Sequence, residues 1–206
     1  MTDILPPTPE GIGRAASLLA DGEIVAFPTD TVYGVGVAAS CPERVDSLFT
    51  LKRRPTDRRI PMLVAELAQA EASGFAATDV GRRLAEAFWP GPLTIVLPRS
   101  AETGTAPATQ AFRAPDHAVA LALIRAAGPI FATSANISDQ PDTLGADEVQ
   151  IAFATDQDGL AAIVDGGPVP GGVPSTVVDV SVAPARLLRE GPISAAQLRT
   201  LIPLDG

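Results

Sequence analysis

The amino-acid sequence predicts an α/β fold, on three observations. Short apolar runs of strand length alternate with stretches of helical periodicity along the whole chain. No internal repeat interrupts that alternation, and no linker is long enough to divide the chain. The polar, chemistry-bearing stretches begin just after predicted strands, where open α/β folds place their ligands.

The 206 residues can bury a full core, and a single domain over 1–206 is expected. Hydrophobic residues make up 46% and charged residues 19%, which fits a compact chain rather than a disordered one. A net charge of -9 argues against a broad nucleic-acid-binding face, though not against a local basic pocket for a small anion. The opening M-T-D-I-L-P-P-T-P-E has neither a basic nor an apolar signal region. The best candidate for a membrane span, Ala118 to Ala135, is cut by Arg125 and Pro129, so no membrane association is expected. One cysteine, Cys41, fits a reducing cytoplasm, and with one histidine, His117, it cannot build a usual zinc site.

Taken in order, Thr8 caps a helix with Pro9 in its first turn, running to about Ala20 before Asp21-Gly22 ends it. Glu23 to Phe27 reads as a buried strand, and P-T-D-T-V-Y-G follows as a loop. Ser40-Cys41-Pro42-Glu43 has the pattern of a capping box, with a helix from about Cys41 to Lys52. A strand at Pro61–Ala65 precedes helices at about Leu67–Ser73 and Asp79–Phe88. Trp89-Pro90-Gly91-Pro92 is a sharp break before a strand at Leu93–Leu97. Arg99 to Ala108 reads as a loop, then come a strand at Thr109–Arg113, a helix from about Asp116 to Ala126 and a strand at Pro129–Thr133. The remainder predicts a helix over Gly145–Phe153, strands at Ala161–Val164, Thr176–Val180 and Arg186–Arg189, and a helix capped by Ser194.

One stretch stands out chemically. L-K-R-R-P-T-D-R-R-I-P, from Leu51 to Pro61, puts Lys52, Arg53, Arg54, Arg58 and Arg59 within eight positions of an acidic chain. Lys52 is the only lysine among fifteen basic residues, which favours a need for a compact ammonium rather than a planar fork. The cluster reads either as a solvated turn after a helix or as an anion site. No G-x-x-x-x-G-K-[ST] loop is present, and Gly34-Val35-Gly36 lacks a third glycine, so side chains must hold any nucleotide phosphates. Lys52 and Arg54 are candidates for that, with Ser134 and Arg189 as partners.

Other stretches also read two ways. The hydroxyls of Thr29 and Thr31 either satisfy a local turn or face a ligand. Arg113 is a surface arginine or a carboxylate or phosphate clamp, and His117 fits a structural role better than acid–base work. Thr133, Ser134, Asn136 and Ser138 crowd small polar groups after a strand. A Ser-His-Asp triad is formally open, but no G-x-S-x-G elbow exists.

These pieces gain weight from their order. Pro28-Thr29-Asp30-Thr31-Val32-Tyr33-Gly34 is followed by K-x-R at Lys52 and Arg54 and by Trp89-Pro90-Gly91-Pro92-Leu93-Thr94. Arg113-Ala114-Pro115-Asp116-His117 and S-x-N at Ser134-Ala135-Asn136 come next. Asp165-Gly166-Gly167, Ser175-Thr176-Val177-Val178-Asp179 and Arg189-Glu190-Gly191 complete the series. In this order the chain, from about residue 10 to 195, resembles the YrdC-like family, the threonylcarbamoyl-AMP synthases.

The resemblance implies a twisted mixed sheet flanked by helices, with a concave, positively lined cavity. It implies a nucleotidyltransferase that makes threonylcarbamoyl-AMP and pyrophosphate from L-threonine, bicarbonate and ATP, with Mg2+ accompanying ATP. The product would pass to the downstream machinery that modifies the adenosine beside the anticodon of tRNA. By position, Lys52 and Arg54 would be catalytic. Lys52, Arg54, Arg58, Thr109, Ser134, Asn136, Asp142 and Arg189 would hold ATP, and Thr31, Arg113, Ala132 and Ser175 would hold threonine.

The chain departs from the family at three positions, one of them Arg58, where many relatives have asparagine. Leu63 stands where many relatives have a histidine near threonine, and Asp139 stands where S-A-N-x-S-G would have glycine. Ending at Gly206, the chain is expected to be the form without the second domain of longer relatives. Two other readings remain beside this one. A carbamoyl-adenylate former with another acceptor keeps the fold, and a tRNA or double-stranded RNA binding module is weakened by the net charge.

Overall fold

The computed structural model describes residues 2–53, 59–100, 107–154 and 159–205. Its elements begin with β1 (Asp3–Leu5), α1 (Pro9–Ala20), β2 (Val25–Pro28), β3 (Tyr33–Ala38) and α2 (Val45–Leu51), the last preceded by a 3-10 turn at Pro42–Arg44. They continue with β4 (Met62–Leu63), α3 (Leu67–Ala72), α4 (Asp79–Phe88), β5 (Leu93–Pro98), β6 (Thr109–Arg113), α5 (Ala118–Ala127) and β7 (Ile130–Ser134). The last are α6 (Ala146–Ala152), β8 (Ala162–Val164), β9 (Thr176–Asp179), β10 (Ala185–Arg189), α7 (Ala195–Arg199) and β11 (Leu204–Asp205). The class is mixed α/β, as the alternation predicts.

The chain divides into two compact units, each built from two segments: Met1–Ile60 with His117–Gly172, and Pro61–Asp116 with Val173–Gly206. In the first unit the strand order is β1-β8-β2-β3-β7. β8 runs parallel to both β1 and β2, whereas β2-β3 and β3-β7 are antiparallel. Helix α1 packs against α5 and β8, burying Ala15, Ala16 and Leu19. A core of Ile24, Val35, Val37, Leu48, Phe49 and Val149 lies within this unit.

In the second unit the order is β4-β6-β5-β9-β10-β11. β5 is antiparallel to β6 and parallel to β9. Leu84, Leu93, Ile95, Leu97 and Phe112 are buried there, and the rings of Phe75 and Phe112 meet edge to face at 5.2 Å.

Helix ends follow their local chemistry. Thr8 Oγ1 accepts from Gly11 N at 3.3 Å and Thr78 Oγ1 from Gly81 N at 3.0 Å, each satisfying a donor the first turn leaves over. Ser194 and Gln197 form a capping box on α7. The box expected at Ser40 does not form. Cys41 takes the N-cap position with no side-chain cap, which moves Ser40 one residue out of register, and the chain enters α2 through the 3-10 turn.

Three further expectations are corrected. Tyr33 and Gly34 open a strand rather than ending a loop, β1 and β11 add short edge strands, and α5 starts at Ala118 with His117 as its N-cap. Alternating glycines hide β3, because glycine weakens strand propensity. Their reason is close approach: a Cβ on Gly36 would stand 2.6 Å from both Ile130 Cγ2 and the Phe131 carbonyl oxygen.

Candidate functional site

The expected site residues are distributed over both units and are described unit by unit. In the first, Lys52 is the C-cap of α2 and is only 3% exposed. Its Nζ donates to the Ser134 carbonyl oxygen, to Ser134 Oγ at 3.3 Å and to Asn136 Oδ1 at 2.9 Å. Ser134 Oγ also donates to Asn136 Oδ1, at 2.7 Å, and Asn136 Nδ2 donates to the Gln140 carbonyl oxygen at 2.6 Å. The K-x-R lysine and the S-x-N pair, separate in sequence, thus form one hydrogen-bonded group. A lysine suits this position because a compact ammonium can meet oxygens in three directions.

The loop behind Asn136 turns at Asp139, whose φ is +64°. That is the left-handed region glycine adopts at least cost and aspartate tolerates better than most residues. The departure at Asp139 therefore keeps the backbone shape that a glycine would give. Arg53, next to Lys52, also has a positive φ, +53°, just past the end of α2.

Ala132 and Ser134 lie in β7 opposite Gly36 and Gly34 of β3. Thr31, 8% exposed, is set by Thr29, whose Oγ1 lies 3.1 Å from Thr31 Oγ1 and accepts from the amides of Thr31 and Val32. Thr29 Oγ1 donates to the Val32 carbonyl oxygen at 2.7 Å. The local turn and the ligand-facing readings of these threonines are thus compatible: Thr29 makes the turn that holds Thr31. Tyr33 is wholly buried, and its hydroxyl donates to the Gly167 carbonyl oxygen at 2.8 Å and accepts from Gly166 N at 3.3 Å. Burial pushes the phenol above its ordinary pKa; the Gly166 hydrogen bond opposes this, and the charges of Asp165 and Asp147 add to it. Asp142 is exposed, next to the buried Thr143. Arg54 and Arg58 lie outside the described residues.

In the second unit, Arg113 ends β6, is 9% exposed and donates through Nε to the Gly91 carbonyl oxygen at 3.1 Å. Ser175, just before β9, accepts at its carbonyl oxygen from Arg189 Nε at 3.0 Å and at its Oγ from Arg189 Nη2 at 3.3 Å. Its Oγ also lies 2.8 Å from Thr94 Oγ1.

Register explains this meeting. Val177 pairs with Thr94 on one side and with Arg189 on the other. Ser175, two residues before Val177, shares its face. β10 reaches this register through a shift: Arg186 pairs with Asp179 and Leu187 with Val178, and then Arg189, not Leu188, stands opposite Val177. Without the bulge Leu188 would take that place; it is instead 53% exposed.

Burial, and second the nearby charge of Arg113, pull Arg189 below its ordinary pKa. Two guanidiniums held near one another favour an anion between or beside them. Thr109 begins β6 opposite Pro98, at the far end of that strand from Arg113. Leu63 pairs with Arg113 in the parallel β4-β6 register and is buried, so the departure from histidine puts an apolar side chain beside this arginine.

Thr94 was not among the expected site residues. The signal for Thr94 is a lone hydroxyl in the otherwise apolar run Leu93–Leu97.

A family model described as Sua5_yciO_yrdC, telomere recombination, matches residues 17–191. A threonylcarbamoyl-AMP synthase of Bacillus subtilis is 41% identical over 98% of this chain and 59% of its own length. A putative threonylcarbamoyl-AMP synthase of Mycobacterium tuberculosis is 34% identical over 95% of this chain and 90% of its own. The crystal structure of P. abyssi Sua5 complexed with L-threonine superposes with a TM-score of 0.86 at 34% identity, covering all of this chain and 62% of that one. The chain thus belongs to the Sua5/YciO/YrdC family. It spans about three-fifths of the length of the Bacillus subtilis relative and of the P. abyssi structure.

Proposed function

We infer that this protein is a threonylcarbamoyl-AMP synthase, an adenylyl-transferring enzyme acting on L-threonine, bicarbonate and ATP. The observation that carries the reading is the buried Lys52 ammonium fastened to Ser134 and Asn136. A cation held this rigidly, in a family whose relatives bear that activity, suits stabilisation of a phosphoryl group.

The chemistry asks little covalent work of the protein. The threonine amine and bicarbonate give a carbamate with loss of water. A carbamate oxygen then forms a bond to the α-phosphorus of ATP while the bond to the β-phosphate bridging oxygen breaks, releasing pyrophosphate. Lys52 and Arg54 act on the developing phosphoryl charge, and Ser134, Asn136, Arg58, Thr109, Asp142 and Arg189 complete the nucleotide site. Thr31, Ala132, Arg113 and Ser175 hold threonine, Arg113 through its carboxylate. Positioning and electrostatics of this kind can supply most of the acceleration.

Mg2+ is proposed as the companion of ATP, carried on phosphate oxygens. Among the described residues no group of three His, Cys, Asp or Glu side chains could hold a metal. The reading takes both units as one YrdC-like domain, supported by a family model that runs through both. It assigns the product to tRNA threonylcarbamoyl-transfer machinery in the cytoplasm. No helix among the described residues is long and apolar enough to cross a membrane.

One observation favours a second reading. Leu63 beside Arg113 leaves a less polar acceptor site than a histidine would, which would suit a different carbamoyl acceptor. Pyrophosphate release by the purified protein with MgATP separates the two. Release that requires both L-threonine and bicarbonate supports the synthase. Release that ignores threonine but responds to another amine moves the acceptor, and no release with any acceptor overturns both.

A further inference from the structure

We propose that Thr94 is a positioning residue that aims the Ser175 hydroxyl as a donor toward an acceptor oxygen of the amino-acid substrate. The proposal rests on the reading above, in which Ser175 contacts threonine.

Thr94 and Ser175 are 5% and 6% exposed, and their hydroxyl oxygens are 2.8 Å apart. One of the two must donate. Each hydroxyl has one proton and two acceptor sites. Ser175 Oγ already accepts from Arg189 Nη2. If Ser175 donated to Thr94, the Thr94 proton would need another acceptor, and among the described residues Thr94 Oγ1 has no other hydrogen-bond partner. The Thr94 side chain is itself buried within β5, which leaves that proton no solvent to turn to. An unmatched buried hydroxyl proton is costly.

The opposite arrangement has an outlet. With Thr94 and Arg189 both donating, the two acceptor sites of Ser175 Oγ are filled. Its own proton must then point in a third direction. Ser175 lies at the loop end of β9 beside the exposed Arg189, so that direction is the one a ligand can occupy. Ser175 is thereby set as a donor only. It selects an acceptor oxygen such as a carboxylate and offers nothing to an ammonium. The register that pairs Thr94 with Val177 and Arg189 with Val177 holds all three groups on one face.

The test is calorimetric binding of L-threonine to the full chain, with thermal unfolding as a check on folding. Thr94→Val keeps the branched shape and removes the donor. It is expected to weaken threonine binding about tenfold, the upper range for one neutral hydrogen bond. Thr94→Ser should restore binding to within about twofold of the wild type. In a Ser175→Ala background, Thr94→Val should have no further effect, because the interaction through which it acts is gone. ATP binding should be unchanged in Thr94→Val and Thr94→Ser.

Wild-type binding by Thr94→Val, full additivity with Ser175→Ala, or failure of Thr94→Ser to rescue would each overturn the positioning role alone. Absence of threonine binding by the wild type would instead overturn the substrate reading, and the proposal with it. If Thr94→Val does not fold, Thr94→Ala reads the same quantity against the same Ser175→Ala partner.

Discussion

Lys52 Nζ donates to Asn136 Oδ1 at 2.9 Å, joining residues 84 positions apart in the chain. The amide is oriented without ambiguity, because its oxygen receives Lys52 and Ser134 Oγ while its nitrogen donates to Gln140. On the proposed reading the lysine would meet the phosphate already aimed. Lys52→Ala is expected to lower the rate of pyrophosphate release by about 10²–10³ with the fold retained, the usual cost of one pre-set charge. Steady-state pyrophosphate assays beside circular dichroism check this; near-wild-type turnover would remove Lys52 from the phosphate site.

Arg113 should behave differently. Its Nε is tied to the Gly91 carbonyl oxygen, which steers the rest of the guanidinium. Arg113→Ala is expected to raise the KM for threonine by about 10- to 100-fold, the cost of a lost charged hydrogen bond, with a much smaller change for ATP. Equal increases for both substrates would reassign Arg113 to phosphate.

Tyr33 is the only tyrosine, so tyrosinate absorbance reads it alone. Its folded pKa is raised above the ordinary value of about 10. Between those two values the unfolded chain has lost a proton the folded chain keeps, so stability declines as pH rises. The contribution is fully present below about pH 10 and is lost as pH rises through the folded value. Absorbance titration should give a midpoint above that of the denatured chain, and Tyr33→Phe should flatten the alkaline fall in Tm. Coincident midpoints in folded and denatured protein would refute the buried, hydrogen-bonded phenol.

Asp139 carries a positive φ in the loop that supplies Gln140 to Asn136. Asp139→Gly should leave stability within about 1 kcal/mol, since relief of left-handed strain offsets the added chain entropy. Asp139→Val should cost about 1–3 kcal/mol, because a β-branched side chain is strained there. Urea unfolding of the two variants measures the difference, and equal stability would contradict the left-handed turn.

Much of the fold was legible in short windows. Thr8-Pro9 fixes the start of α1, Thr109–Arg113 has the β6 boundaries, and Asp79–Phe88 those of α4. Those signals are local: caps, breakers and runs of one polarity. The strand β3 escaped because its glycines answer to a neighbour, β7, that arrives about 95 residues later. The shift at Ser40 escaped for a smaller reason, since one residue of register separates a capping box from a bare N-cap.

The same division runs through the candidate site. By itself the sequence determined which chemical groups are present and in what order: one lysine, the S-x-N pair, the arginines and the hydroxyls beside strands. Residue types and their immediate neighbours carry that information. Tertiary structure alone decided that Lys52 would meet Asn136, that a bulge would turn Arg189 rather than Leu188 toward Val177, and that Thr94 would reach Ser175. The physical reason is that strand register is a property of pairs. It depends on hydrogen bonds and close contacts between segments far apart in the chain, and a slip of one residue sends every side chain to the other face.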